Sequence, residues 1–291
     1  MTGNMSKPSL KAGPTVLPNL PGSIAQVGVM TKYELLTYFR SRRFFILLII
    51  GLIISSILTA VVAYYGVSSF ASNALGFYSF WWGNSVTLVV ILSGIFFGGD
   101  AISGEFQNKT GYFLVGNPLR RSSIYVGKWI AALTASLIIL AVYAAIAVGN
   151  GVYYFGASIP YQFGESLVFS VLYLIAVLGF TFFFSSLFKS SSMSILVTAI
   201  LFLFAFSLIQ LIVSSLAQIE PWFIITYGAG IIGNVLTDPY PTTQSVRGGF
   251  SGREATTLYA VSIPEGIAIL VGYFVVTAII GLLLFERKEF T

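Results

Sequence analysis

The sequence has neither cysteine nor histidine anywhere in its 291 residues. Without cysteine there are no disulfides, zinc thiolate sites or thiol nucleophiles; without histidine the commonest general base and the Ser-His-Asp arrangement are also excluded. Charge is scarce too: 9% of residues are charged and 56% apolar, against about 25% and about 45–50% in soluble domains. This composition indicates an integral membrane protein. The formal net charge of +5 does not point to nucleic acid, because basic residues would then form a solvated patch or stripe, and here they lie between apolar runs. No catalytic residue and no metal site is expected. Any chemistry would have to rest on Asp, Glu, Lys, Ser or Tyr alone.

Six apolar runs reach the roughly 20 residues that a helix needs to cross a bilayer: 44–65, 77–98, 129–149, 166–188, 192–216 and 266–285. None contains Asp, Glu, Lys, Arg or Pro. The expected fold class is therefore all-α and integral to the membrane, with six spans. Residues 1–25, with four prolines among Gly, Ser and Lys, have no helical period and are expected to be a disordered tail. In 26–43, Val29, Met30, Tyr33 and Leu36 share one helical face, which suggests an amphipathic helix in the headgroup layer before the first span.

An even number of spans places both termini on one side. Residues 1–43, the 99–128 connection, Lys189 and the C-terminus hold 13 of the 15 Lys and Arg, so the positive-inside rule makes that side cytoplasmic. Aromatic groups at Tyr64-Tyr65, Phe77 to Trp82 and Tyr153 to Phe155 are expected at the outer interface. The apolar stretch 222–236 would rise about 22 Å, short of the ~30 Å hydrocarbon core. It is expected to be re-entrant or interfacial and to pack against the spans, with a polar loop at 237–265 completing an outer connection at 217–265.

One cytoplasmic gap gathers an unusual share of the charge. Asp100, Glu105, Lys109, Arg120, Arg121 and Lys128 are six of the 25 charged residues. Ile102, Phe106, Lys109-Thr110 and Phe113-Leu114 recur at helical spacing. Ser103 is placed to cap such a helix and Glu105 to favour its N-terminal dipole. Gly111, Gly116 and Asn117-Pro118 break it. A solvated connection whose basic residues merely fix topology would share these features.

Asp100, "ISGE" at 102–105, Lys109-Thr110-Gly111 and "NPLRRSSIYVGKW" at 117–129 together resemble the cytoplasmic segment of ABC-2-type permeases, the membrane subunits of ATP-driven exporters. "MTKYELLTYFRSRRFF" at 30–45 is similar to that family's N-terminal elbow helix, and the six spans and long outer connection fit as well. Lys-Thr-Gly departs from the family's commoner Gly-Thr order, and the N-terminal tail is longer. The resemblance implies that residues 100–117 form a coupling helix docking on a separate ATP-binding, Walker-motif subunit. Asp100, Ile102, Glu105, Phe106, Lys109 and Thr110 would carry that contact, with Phe106 the apolar anchor. It further implies a second permease subunit, identical or similar, and the cell membrane of a prokaryote. ATP and Mg²⁺ would be bound by the partner, because no G-x-x-x-x-G-K-[ST] loop is present to cradle phosphates.

Within the spans, Asn84, Ser85, Thr87, Ser207 and Gln210 are candidates for a translocation path, with pairing between helices the competing reading. Gly51, Ser55, Thr59 and Ala63, and likewise Gly127, Ala131 and Ala135, form small-residue stripes suited to close helix packing. With no charge in any run, an amphipathic or hydrophobic cargo is easier to accommodate than a small ion. Two other functions fit the composition: a membrane scaffold or sensor that docks an ATPase without transport, and a membrane-embedded lipid-processing enzyme. The latter would need clustered carboxylates or lysines at the interface, and the candidates Asp100 and Glu105, five apart, do not share a helical face.

Overall fold

A computed structural model describes residues 22–108, 120–247 and 255–288. Residues 1–21 of the tail expected over 1–25, and Lys109 and Thr110, lie outside the described residues. Six helices are long and apolar enough to cross a membrane: Arg42–Tyr65, Ala74–Gln107, Arg121–Phe155, Tyr161–Leu187, Ser191–Ser215 and Ile263–Arg287. Each matches one expected run to within a residue at its C-terminal end or extends past it, and all six begin before it, because a helix continues into the headgroup layer until a breaker stops it. The third is 35 residues long, about 52 Å at the α-helical rise, and ends at Gly156, whose φ of 79° is open to glycine.

The fourth span is the hub, with the sixth packed along it and the second and third beside it. The second span approaches it where side chains are missing. A Cβ on Gly94 would lie 2.4 Å from Val177, and one on Gly98 would lie 2.1 Å from the Thr181 hydroxyl. The most apolar windows of the second and fourth spans are 67% and 56% buried, against 22%, 11% and 17% for the first, fifth and sixth. These last three therefore present most of their apolar surface outward. The small residues Gly51 and Ser55 are buried where the first span meets the third.

An N-terminal helix, Ser23–Arg40, precedes the first span and starts three residues earlier than expected. It lies along the third span and leaves Val29, Tyr33 and Leu36 exposed, an apolar face free for lipid. Only Ser41, in extended conformation, separates it from the first span.

At the other end of the bundle, residues 222–236 fold into two short helices, Ile225–Gly228 and Ile231–Asn234. Ile225, Ile231 and Ile232 are fully buried, so the segment packs into the spans. Its backbone is joined to them through a relay. Trp82 Nε1 donates to Ser166 Oγ at 3.0 Å, and Ser166 Oγ donates to the Ile232 carbonyl at 2.6 Å. This arrangement corrects one expectation. Tyr64, Tyr65 and Tyr153 are exposed as an interfacial ring would be, but Phe77, Tyr78, Trp81 and Trp82 are core, covered by the third and fourth spans and this segment. The following connection is also not all loop. Strands Gln244–Arg247 and Ala255–Leu258 pair antiparallel, Gln244 opposite Leu258.

The glycine approaches give a matched test. Gly98→Ala forces the second and fourth spans apart and is expected to destabilise the protein by about 1–3 kcal/mol. Gly149→Ala, where a Cβ meets nothing within 4 Å, should be neutral or gain up to about 1 kcal/mol of helix propensity. Thermal midpoints in one detergent compare them; equal shifts would contradict this packing.

Candidate functional site

Charged residues from several distant parts of the sequence meet at one end of the bundle, around Lys128. Its side chain is only 3% exposed, and its ammonium lies 3.0 Å from Glu34 Oε2 and 2.7 Å from Glu105 Oε1. An ammonium buried without partners would be strongly unfavourable. Lys128 is carried into the interior by the first turns of the third span, so carboxylates must come to it. Glu34 comes from the N-terminal helix and Glu105 from a short helix, Ser103–Gln107, at the end of the second span. One cation thus joins three elements that are distant in sequence.

Further contacts strengthen each arm. For the N-terminal helix, Thr31 Oγ1 donates to the Gly127 carbonyl at 3.1 Å, and the Gln26 side chain accepts from the Arg120 amide at 3.1 Å. Gly127 has no space to spare, since a Cβ there would lie 2.7 Å from Met30 Cβ. The buried Tyr38 hydroxyl donates to the Phe97 carbonyl at 2.9 Å. Burial, followed by the Glu34 and Asp100 carboxylates, pushes this phenol well above its ordinary value, so it remains a donor. Arg43 at the start of the first span pairs with Asp100.

The short helix is anchored just as closely. The amides of Ile102 and Ser103 both donate to Ser185 Oγ of the fourth span, at 2.9 and 3.0 Å. The start of the helix is therefore capped from another helix. Ser103 does not cap it as expected; it is the first helical residue, and its hydroxyl turns to Ser185. Gln107 Oε1 accepts from the Ser191 amide at 2.7 Å, which satisfies an orphan donor at the start of the fifth span. The Phe106 ring lies 6.5 Å from that of Phe285, with the Lys288 ammonium 4.2 Å over its face. Lys288 also donates to the carbonyls of Ser186 and Phe188, at 2.9 and 2.8 Å. Burial, with Lys189 adding, pulls its ammonium down to about 8.

The described part of this helix, Ser103–Gln107, turns its one charge, Glu105, inward. Ile102 is fully buried, Glu105 faces Lys128 and Phe106 lies against the sixth span, while Gln107 and Asn108 are the exposed positions. An amphipathic helix with Ile102 and Phe106 inward puts Glu105 inward too once a cation waits there. A cavity of about 310 Å³, lined by Glu34, Tyr38, Arg43, Asp100, Glu105 and Lys128, opens beside the joint. Asp100 and Glu105 are each in an ion pair with a different cation, an arrangement suited to bracing. Glu34, Lys128 and Ser185 were not singled out as site residues from sequence. The available signal was a lone lysine seven positions into a helix that is otherwise apolar beyond Arg121.

The candidate path residues divide. Thr87, Ser207 and Gln210 line one cavity of about 340 Å³ with Tyr173, Thr226 and Phe202. There Thr226 donates to Gln210 Oε1 at 3.0 Å, and the buried Tyr173 hydroxyl has no hydrogen-bond partner among the described residues. Two of the three spans that line this cavity, the second and the fifth, contain a π-helical turn at its edge, Ser79–Gly83 and Leu201–Ala205, a widening often found at functional sites. Asn84 lines a different cleft, of about 510 Å³, with Asn73 and Asp238. Ser85 accepts from the Tyr143 hydroxyl at 2.6 Å and so ties the second span to the third. Among the described residues no group of three or more Asp or Glu side chains is placed to hold a metal.

The family described as ABC-2 family transporter protein matches residues 29–290, and the chain belongs to that family. Among curated proteins, nothing matches it.

The joint is open to a charge-deletion test. Lys128→Met leaves Glu34 and Glu105 facing each other without their shared cation and is expected to cost about 3–5 kcal/mol. Combining it with Glu34→Gln and Glu105→Gln should recover most of that loss. Thermal midpoints of the purified variants measure this, and a triple variant no more stable than the single one would contradict the pairing.

Proposed function

We propose that this ABC-2 family member is the permease subunit of an ATP-driven exporter, with the charged end of the bundle in the cytoplasm. The observation that carries the reading is the Lys128 joint. Through it, and through Ser185, Gln107 and Phe106, the short helix Ser103–Gln107 is tied to the N-terminal helix and to the third, fourth, fifth and sixth spans. A segment held in this way moves the bundle as a rigid body when it is pushed, as coupling to a separate motor requires. The motor would be a Walker-motif ATP-binding subunit docking on 100–117, with ATP and Mg²⁺ bound there. Asp100, Ile102, Glu105 and Phe106 would set the position of the docking element from behind. Gln107, Asn108 and the segment containing Lys109 and Thr110 would meet the partner.

The first, fifth and sixth spans, with most of their apolar surface turned outward, leave room for a second permease subunit, the same or similar. Cargo would pass the cavity of Thr87, Ser207 and Gln210, whose uncharged polar groups suit an amphipathic or hydrophobic molecule. The chain itself would catalyse no reaction, and its site would be the cell membrane with both termini inside.

A photo-crosslinking residue at Asn108, introduced in the native host, tests the docking. It is expected to capture an ATPase with a Walker motif, and the same residue at Tyr153, exposed at the opposite end, should not. No ATPase at Asn108, under conditions where other membrane complexes stay intact, would overturn the reading.

A further inference from the structure

A groove of about 570 Å³ runs along the sixth span at the end remote from Lys128. It lies between Trp222 and Phe223 on one side and the first half of the span on the other, with Glu265 at its mouth. Its wall contains hydroxyls but does not offer them. Tyr273 donates to the Phe223 carbonyl at 2.6 Å, and Thr277 donates to the Tyr273 carbonyl at 2.6 Å. The surface left is apolar. From 265 to 277 the groove extends about 18 Å along the helix axis, close to half of the ~30 Å hydrocarbon thickness.

The mouth is acidic. Glu265 completes the capping box of the sixth span with Ser262. Glu220, outside the groove wall, accepts a 2.6 Å hydrogen bond from Tyr227. Burial, that bond and the charges of both carboxylates raise the Tyr227 phenol. Neither carboxylate has a Lys or Arg partner among the described residues. Trp222, 62% exposed, is at the same level, where an indole face can also attract a cation.

We propose that this groove is a binding site for one acyl chain of a membrane lipid whose headgroup carries an ammonium, held at the mouth by Glu265. The length of the groove fits one leaflet's chain, and the acid rim selects the headgroup. The site is independent of the transport reading and would exist whether or not the chain exports anything.

Trp222 reports on the groove. Trp81 and Trp82 are fully buried, and Trp222→Phe subtracts the contribution of Trp129. The protein is placed in nanodiscs that contain a fixed fraction of brominated-chain phosphatidylethanolamine, or of phosphatidylglycerol with the same chains. Trp222-dependent quenching is expected to be at least about threefold stronger with the ethanolamine lipid. Glu265→Gln, which retains the capping hydrogen bond, should bring the ratio towards one. Gly272→Leu should reduce quenching by both lipids, because a Cβ at Gly272 meets nothing within 4 Å and the added side chain fills the groove. Equal quenching in the unaltered protein would mean an unselective lipid-facing surface. No Trp222-dependent quenching by either lipid would mean that protein, such as a second copy, covers the groove. Either result, or a preference unchanged in Glu265→Gln, overturns the proposal.

Discussion

The structure is organised around one buried ammonium. Lys128 lies where water is largely excluded, and there the balance between desolvation and pairing is steep: removing a partner from a buried charge costs several times more than breaking an exposed ion pair. Its two carboxylates come from Glu34 and Glu105, so the N-terminal helix cannot leave the third span, nor the short helix tilt away, without uncovering charge. The Arg43–Asp100 pair adds a second link between the first and second spans at the same depth. What would otherwise be a loosely held amphipathic helix becomes a fixed part of the bundle.

The membrane imposes the opposite rule on the rest of the chain. Away from this joint, polar side chains in the spans mostly close on their own helix. Ser55, Ser93, Thr134, Ser170 and Thr198 each donate to the carbonyl four residues earlier, so they need no partner from outside. Polar groups that look outward or into a cavity are correspondingly few. That Thr87, Ser207 and Gln210 gather around one cavity, beside a Tyr173 hydroxyl with no described partner, therefore has more weight than the same residues would in a soluble protein.

Much of this was legible in the sequence, because a bilayer writes its constraint as long uncharged runs. The six spans, the helix before them and the packed 222–236 segment all follow from length and hydropathy. The partnerships did not. Glu34 lies on the polar side of its helix and reads as solvated until Lys128, 94 positions away, is brought against it. Ser103 has the sequence of a cap, yet Ser185 of another helix takes that role. Phe77 to Trp82 resembles an interfacial belt because aromatic rings serve either an interface or a core, and only tertiary packing decides which. The hairpin had a local signal, short stretches rich in Thr, Ser and Val on either side of Gly248-Gly249, but prolines and polar residues around it favour a loop.

The two ends of the bundle differ in how they would respond to force. At the charged end, five elements are pinned to one short helix by ion pairs, capping hydrogen bonds and a cation over an aromatic ring. A displacement there is shared rather than absorbed. Towards the other end, the second and fifth spans each pass through a π turn, and the fifth is only 11% buried in its most apolar window. In the proposed coupling, a push on the short helix would reach the second span directly and the fifth through Gln107 and Ser191. Both of these spans line the cavity of Thr87, Ser207 and Gln210, so movement at the stiff joint would be delivered there along two helices.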